Sequence, residues 1–237
     1  MTVDPVLEMA SVEASYGPFR ALFGVSLRVD AGEAIGLLGA NGAGKTTVAR
    51  VASGLVAPSA GAVLVGGVDM SRARTYEFAR AGVAHAPEGR SVFATFTVQE
   101  NLELSFRRSL GRSRVADGLE RAFALFPRLG ERRSQVAGTL SGGEQRMLSM
   151  ARVLVEEPTL LIADELSLGL APIIIDEVYA TLESIRGSGT ALLIVEQHVG
   201  HVLDLCDRIV LLDHGVIEWQ GPAADARSVV TSRLFDG

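Results

Sequence analysis

Short apolar runs alternate with longer stretches of helical period along this chain. Residues 34–38, 83–86, 160–163, 191–195 and 209–212 are nearly free of polar side chains, the pattern of strands covered on both faces of a parallel sheet. Residues 62–65 read as a further strand that enters a turn at Gly66-Gly67, and 6–13 and 25–29 as strands around a loop at 16–19. Apolar residues at helical spacing predict helices over about 46–53, 71–81, 173–186 and 199–206. From 98 to about 157 the period is helical and charges are frequent, until Pro158 closes the stretch. Strands and helices in alternation predict an α/β fold with a mostly parallel sheet. The helical stretch between the strands at 83 and 160 is then an insertion. One domain spans 1–237, with a core of 1–87 and 158–237 and a helical subdomain at 88–157.

Composition changes this picture little. Apolar residues make up 48 % of the chain and aromatics 5 %, so the core is expected to be Leu, Val, Ile and Ala. A net charge of −6 argues against non-specific nucleic-acid binding. Cys206 is the only cysteine, which rules out an internal disulfide and agrees with a reducing compartment. No apolar stretch reaches the roughly 18 residues that a membrane span needs, and the N-terminus lacks the profile of a signal peptide. The expectation is a cytosolic chain that can dock on a membrane protein. Arg107, Arg108, Arg112, Arg114, Arg121, Arg128, Arg132 and Arg133 give the helical stretch a basic face, read as solvated surface.

Three constellations carry chemistry. The first is Gly39-Ala40-Asn41-Gly42-Ala43-Gly44-Lys45-Thr46-Thr47, which fits G-x-x-x-x-G-K-[ST] between a buried strand and a helix. Lys45 is the only lysine; every other basic side chain is an arginine. A compact ammonium fits between phosphates where a planar guanidinium does not. The glycines let backbone N–H groups converge on anionic oxygens, and the Thr46 hydroxyl is placed to ligate Mg²⁺. The second is the apolar run that ends in Asp164-Glu165, two carboxylates at the C-terminal end of a strand, where open α/β sheets bind ligands. Asp164 is expected to hold Mg²⁺, directly or through water, and Glu165 to orient or deprotonate an attacking water. The third is Leu140-Ser141-Gly142-Gly143-Glu144-Gln145. Ser141 and Glu144 form an S-x-x-E capping box, and the two glycines expose N–H groups at a helix start. This is a second anion cradle, far along the chain from the first.

With all three in place the chain resembles the ATP-binding cassette family of P-loop ATPases over essentially its full length. The resemblance implies a P-loop NTPase fold with a mostly parallel core sheet, an N-terminal antiparallel β-subdomain and an inserted α-helical subdomain. In that family two cassettes sandwich two ATP molecules, each between the phosphate loop of one subunit and the signature of the other. The resemblance therefore puts Ser141, Gly142, Gly143 and Glu144 against ATP in trans, and Tyr16 against adenine. As a residue alone, an aromatic in a strand-end loop such as Tyr16 is more often packing.

Three departures from the general cassette pattern narrow the match. Pro87-Glu88-Gly89-Arg90 has glutamate where most cassettes carry the Q-loop glutamine; Glu88 reads as a ligand of Mg²⁺ or water, or as a solvated acid. Ser167-Leu168-Gly169-Leu170-Ala171-Pro172 lacks the D-loop aspartate. Val195-Glu196-Gln197-His198 has Gln197 where the switch histidine sits, so Gln197 is taken as the γ-phosphate contact. A one-residue shift on extended backbone turns the side chain of His198 to the other face. All three departures look like the second ATP-binding subunit (LivF-type) of branched-chain amino acid importers. A smaller one, Leu166 in place of the usual proline, is expected to loosen the turn after Glu165.

The resemblance implies an ATPase on the cytoplasmic face of the membrane. Its implied partners are a second cassette in a homo- or heterodimer, two transmembrane permease subunits and an extracytoplasmic substrate-binding protein. Phe93 and Phe96 fall where the family docks its permease, although both rings read equally as buried. Importers of urea or short amides share much of the pattern. A soluble cassette acting on DNA, ribosomes or cluster assembly is the rival class, and a P-loop kinase leaves residues 140–145 unexplained.

Overall fold

Alternation of buried and half-buried side chains builds the first sheet from an N-terminal hairpin, β1 (Leu7–Tyr16) and β2 (Phe19–Val29). The computed structural model describes residues 4–87, 89, 92–154, 157–197 and 199–234. After the hairpin come β3 (Ala34–Leu38), α1 (Lys45–Ala52), β4 (Ala60–Val65), β5 (Val68–Asp69), α2 (Thr75–Arg80) and β6 (Val83–Ala86). Helices α3 (Val98–Ser109), α4 (Val115–Leu125), α5 (Pro127–Glu131) and α6 (Gly142–Leu154) follow. The chain then alternates through β7 (Leu160–Asp164), α7 (Pro172–Gly187), β8 (Ala191–Glu196), α8 (Val199–Leu205), β9 (Arg208–Asp213), β10 (Val216–Pro222) and α9 (Ala223–Leu234).

The first sheet is antiparallel, in the order β2-β1-β4-β5. In β1 the inward face changes phase at Ser11, whose φ of 48° marks a bulge between Met9 and Val12. The second sheet has the order β10-β9-β3-β8-β7-β6. Strand β3 pairs in parallel with β8 and β9, and β7 with β8, while β10 closes the edge antiparallel to β9. Every residue of β3, β7 and β8 is buried, as their unbroken apolar runs require. The mixed, mostly parallel sheet with helices is the α/β fold that the sequence predicts.

The chain falls into two compact units. The first runs up to His85 and adds Thr159–Glu165 and the residues from Leu182 onward. Its core brings Leu7, Met9 and Val12 of the hairpin together with Ile35, Leu37, Val48, Leu160 and Leu193. Each such side chain stabilises the fold by about 1.5–3 kcal/mol. The second unit is Ala86–Pro158 with Leu166–Thr181, and holds the helices α3 to α6 around Leu102, Phe106, Leu148 and Met150.

Four local expectations shift. Strands β1 and β2 run on to Tyr16 and back from Phe19, because Gly17 accepts φ 58° and turns the chain in two residues. Helix α2 starts at Thr75, not at residue 71. The Asp69 carboxylate accepts from the Ser71 amide (2.9 Å) and hydroxyl (2.6 Å), which holds 71–74 in a turn. Strand β10 and helix α9 were not anticipated. The signal for β10 was the His214-Gly215 pair, both residues at positive φ, which is the chemistry of a tight hairpin.

Candidate functional site

Strand β3 ends on Gly39, where a Cβ would lie 2.2 Å from the Leu212 carbonyl oxygen. Only glycine fits there, and the chain turns immediately into the loop. Gly42 (φ 82°) and Gly44 (φ 104°) sit in left-handed conformations, which aims successive N–H groups inward. The tip of the β9–β10 hairpin supports the loop: the Gly215 amide donates to the Ala43 carbonyl at 2.8 Å.

Helix α1 begins at Lys45 with no side-chain cap and no acidic residue in its first turn. Its N-terminal N–H groups and positive dipole end are thus left uncompensated by the protein. Lys45 is 4 % exposed, and its Nζ donates to the carbonyls of Gly39 (2.9 Å) and Ala40 (3.1 Å) and lies 3.8 Å from Glu165 Oε1. The ammonium therefore folds back on its own loop, a set of contacts that an incoming phosphate can replace.

Asp164 is buried at the end of β7. Glu165 adopts φ 46°, and its amide donates to the Val195 carbonyl at 2.8 Å, so β8 fixes the turn. Leu166 is buried here, which anchors a turn expected to be looser without proline.

A cavity of about 530 Å³ opens over this loop. It is lined by Asn41, Gly42, Gly44, Lys45, Thr46, Thr47 and Glu165. Arg20, Ala21, Phe23 and His214, which the sequence reading missed, also line it. The Arg20 guanidinium stacks 4.8 Å above the Phe23 ring, donates from Nε to the Leu22 carbonyl (3.2 Å) and pairs with Glu13. Tyr16, Asp164 and Gln197 are not among the lining residues. Tyr16 stands partly exposed at the end of β1, its hydroxyl 3.5 Å from Arg50 Nη1. Gln197 is exposed just after β8. Glu88 and His198 lie outside the described residues.

The second cradle belongs to the second unit. The capping box forms as predicted: the Ser141 amide donates to Glu144 Oε2 (2.9 Å) and the Glu144 amide to Ser141 Oγ (3.3 Å). Glu144 also accepts from the Ser141 hydroxyl (2.9 Å) and from Arg132 Nε (2.5 Å). Burial pushes its carboxyl pKa up, but the bonds from Ser141 and the pairing with Arg132 outweigh this and leave it below the usual value. Gly143 is packed so closely that a Cβ would come 2.5 Å from Ile174 Cγ2. Of the basic face, Arg107, Arg121, Arg128 and Arg132 are paired with carboxylates.

The donor set fits a nucleotide triphosphate with Mg²⁺. Convergent N–H groups, one buried ammonium and an uncompensated helix start suit phosphate oxygens. Among the described residues no group of three or more His, Cys, Asp or Glu could hold a metal alone. The Thr46 hydroxyl and the Asp164 carboxylate are instead the hard oxygen donors suited to a cation that arrives with phosphate and water ligands.

Known proteins agree with this geometry. The family model described as ABC transporter matches residues 22–167. The high-affinity branched-chain amino acid transport ATP-binding protein BraG of Pseudomonas aeruginosa is 40 % identical over 213 residues, covering 90 % of this chain and 91 % of that protein. The lipopolysaccharide export system ATP-binding protein LptB of Haemophilus influenzae is 33 % identical, covering 90 % and 88 %. A nucleotide-free ATP-binding cassette from an ABC transporter superposes with a TM-score of 0.85 at 25 % identity, covering 96 % of this chain and 95 % of that one. The ADP conformation of the cassette MJ1267 gives 0.84 at 25 % identity, covering 97 % and 95 %.

Proposed function

We propose, for a chain that belongs to the ABC transporter family, that it is the ATP-hydrolysing subunit of a membrane importer and energises uptake of branched-chain amino acids. One observation carries the reading: a phosphate loop and a capped Gly-Gly helix start, two anion cradles, occur on one chain in separate compact units. Two copies, or this chain and a second cassette, can then close on ATP with each supplying one cradle. The cargo rests on the 40 % identity to BraG.

In this reading Lys45 exchanges the Gly39 and Ala40 carbonyls for β/γ-phosphate oxygens, and the amides of residues 40–47 hold the rest of the polyphosphate. Thr46 and Asp164 would hold Mg²⁺, which would supply positive charge against the phosphate oxygens. Glu165, fixed by its amide bond to Val195, accepts a proton from the attacking water or orients it. Gln197 donates a hydrogen bond to the γ-phosphate but cannot become cationic, so the site on this chain's own phosphate loop turns over slowly. Ser141, Gly142 and Gly143 close on the γ-phosphate of the partner's ATP. Glu144 serves as the cap that fixes Ser141.

The partners we infer are a second cassette, two permease subunits contacted near Phe93 and Phe96, and an extracytoplasmic binding protein, with this chain on the cytoplasmic membrane face. Among the described residues no helix is long and apolar enough to cross a membrane. Uptake of labelled leucine by cells with the intact system tests the reading. It should depend on this chain and disappear with Lys45→Ala. Uptake of urea or short amides alone would move the cargo, and a deletion without effect on any uptake would remove the importer.

A further inference from the structure

We propose that Arg146 is a positioning residue that joins the first turns of α6 to the backbone leaving β6, so that an anion seated on residues 141–143 is felt at the Phe93–Thr97 turn. Arg146 is 4 % exposed although its guanidinium carries a permanent charge. Its Nη1 donates to the carbonyls of Pro87 (2.9 Å) and Gly89 (2.7 Å). A buried cation is tolerated where its donors are met, and here they are met by backbone far away in sequence. Arg146 stands one helical turn after Gly142, so the first turn of α6 cannot move without pulling on those carbonyls.

The same helix grips the connection again further on. Arg152 sets its guanidinium 5.1 Å above the Phe93 ring. Asn101, fully buried on α3, accepts from the Phe93 amide (2.7 Å) and donates to the carbonyls of Phe93 (3.0 Å) and Thr97 (2.9 Å). The half-exposed rings of Phe93 and Phe96, 5.7 Å apart, thus sit on a turn held from α3 and α6 together. A hydrogen-bonded clamp between two elements is either made or broken, which is the kind of element that carries coupling between sites.

What the anion is rests on the proposed trans contact; the clamp itself does not. Amide exchange on the full chain separates the two. The chain carries Glu165→Gln to hold ATP, with the second cassette present, and is compared with the same protein bearing Arg146→Met or Arg146→Lys. With Arg146, Mg-ATP should slow exchange about fivefold or more both at 141–150 and at 93–97. With Arg146→Met the slowing at 141–150 should remain and that at 93–97 vanish, while Arg146→Lys restores part of it. An equal response at 93–97 in the Met variant overturns the proposal. Protection of α1 without protection of 141–150 removes the trans contact instead. The clamp is then decided on the nucleotide-free chain, where Arg146→Met must speed exchange at 93–97 about fivefold, and an unchanged rate overturns it. Unaltered exchange in α1 shows that the variant has folded.

Discussion

Gly143 shows how much one position can specify. The atom its missing Cβ would strike, Ile174 Cγ2 at 2.5 Å, is carried on a β-branched carbon and cannot swing away without moving χ1. Gly143→Ala gains up to about 1 kcal/mol of helix propensity but overpacks by about 1–3 kcal/mol, so a net loss is expected in urea unfolding. Ile174→Ala in the same chain should relieve it. His85 gives a second test. Burial, aided by the nearby charge of Arg50, lowers its pKa to about 4 from 6.5. Its Nδ1 lies 3.1 Å from Ser53 Oγ. The unfolded chain takes up a proton below pH 6.5 and the native chain only near 4, so stability falls as pH drops through that window, by up to about 3 kcal/mol. His85→Gln should flatten this limb in unfolding experiments from pH 7 to 4, and an unchanged slope would contradict the burial argument. At the phosphate loop, Lys45→Ala should lower turnover at this chain's own site about 100-fold or more, whereas Gln197→His should raise turnover in the assembled complex. The loop was legible in sequence because its chemistry is contiguous. Arg20, Phe23, His214 and Arg146 were not, because only the folded chain brings them to their partners.

Elements were readable where burial alone decides them. Strand β3 has the bounds that its apolar run predicts, since a strand covered on both faces leaves little room for polar residues, and β6 keeps its predicted bounds although it carries His85. Elements decided by local polar competition were misread. The Asp69–Ser71 turn delays α2, and β10 does not stand out because even its inward residues are only half-buried. The turn before α3 depends on one side chain in the same way. Thr97 and Glu100 cap the helix reciprocally, and Asn101 satisfies the Phe93 and Thr97 carbonyls. Asn101→Ala removes the acceptor of the Phe93 amide at about 1–3 kcal/mol. A lower unfolding midpoint together with faster amide exchange confined to 93–97 is expected; a uniform rise across α3 to α6 would mean that the helices, not the turn, depend on it.

At the scale of the whole molecule the sequence announced a family because three motifs distant in the chain agree on one ligand. The fold adds that the phosphate loop and the signature reside in different compact units, each with its own core. The phosphate loop leaves a helix start uncompensated, and the signature opens a reciprocally capped helix with two glycines. The central claim of the proposal is that two polypeptides, each supplying one cradle, complete one site. The most direct test is the solution mass of the Glu165→Gln protein with Mg-ATP, alone and with its second cassette, against the same protein carrying Ser141→Arg. The account predicts a two-cassette particle that forms only with ATP and is lost with Ser141→Arg. A single-cassette particle at saturating ATP under both conditions, or a pair indifferent to Ser141→Arg, would contradict it.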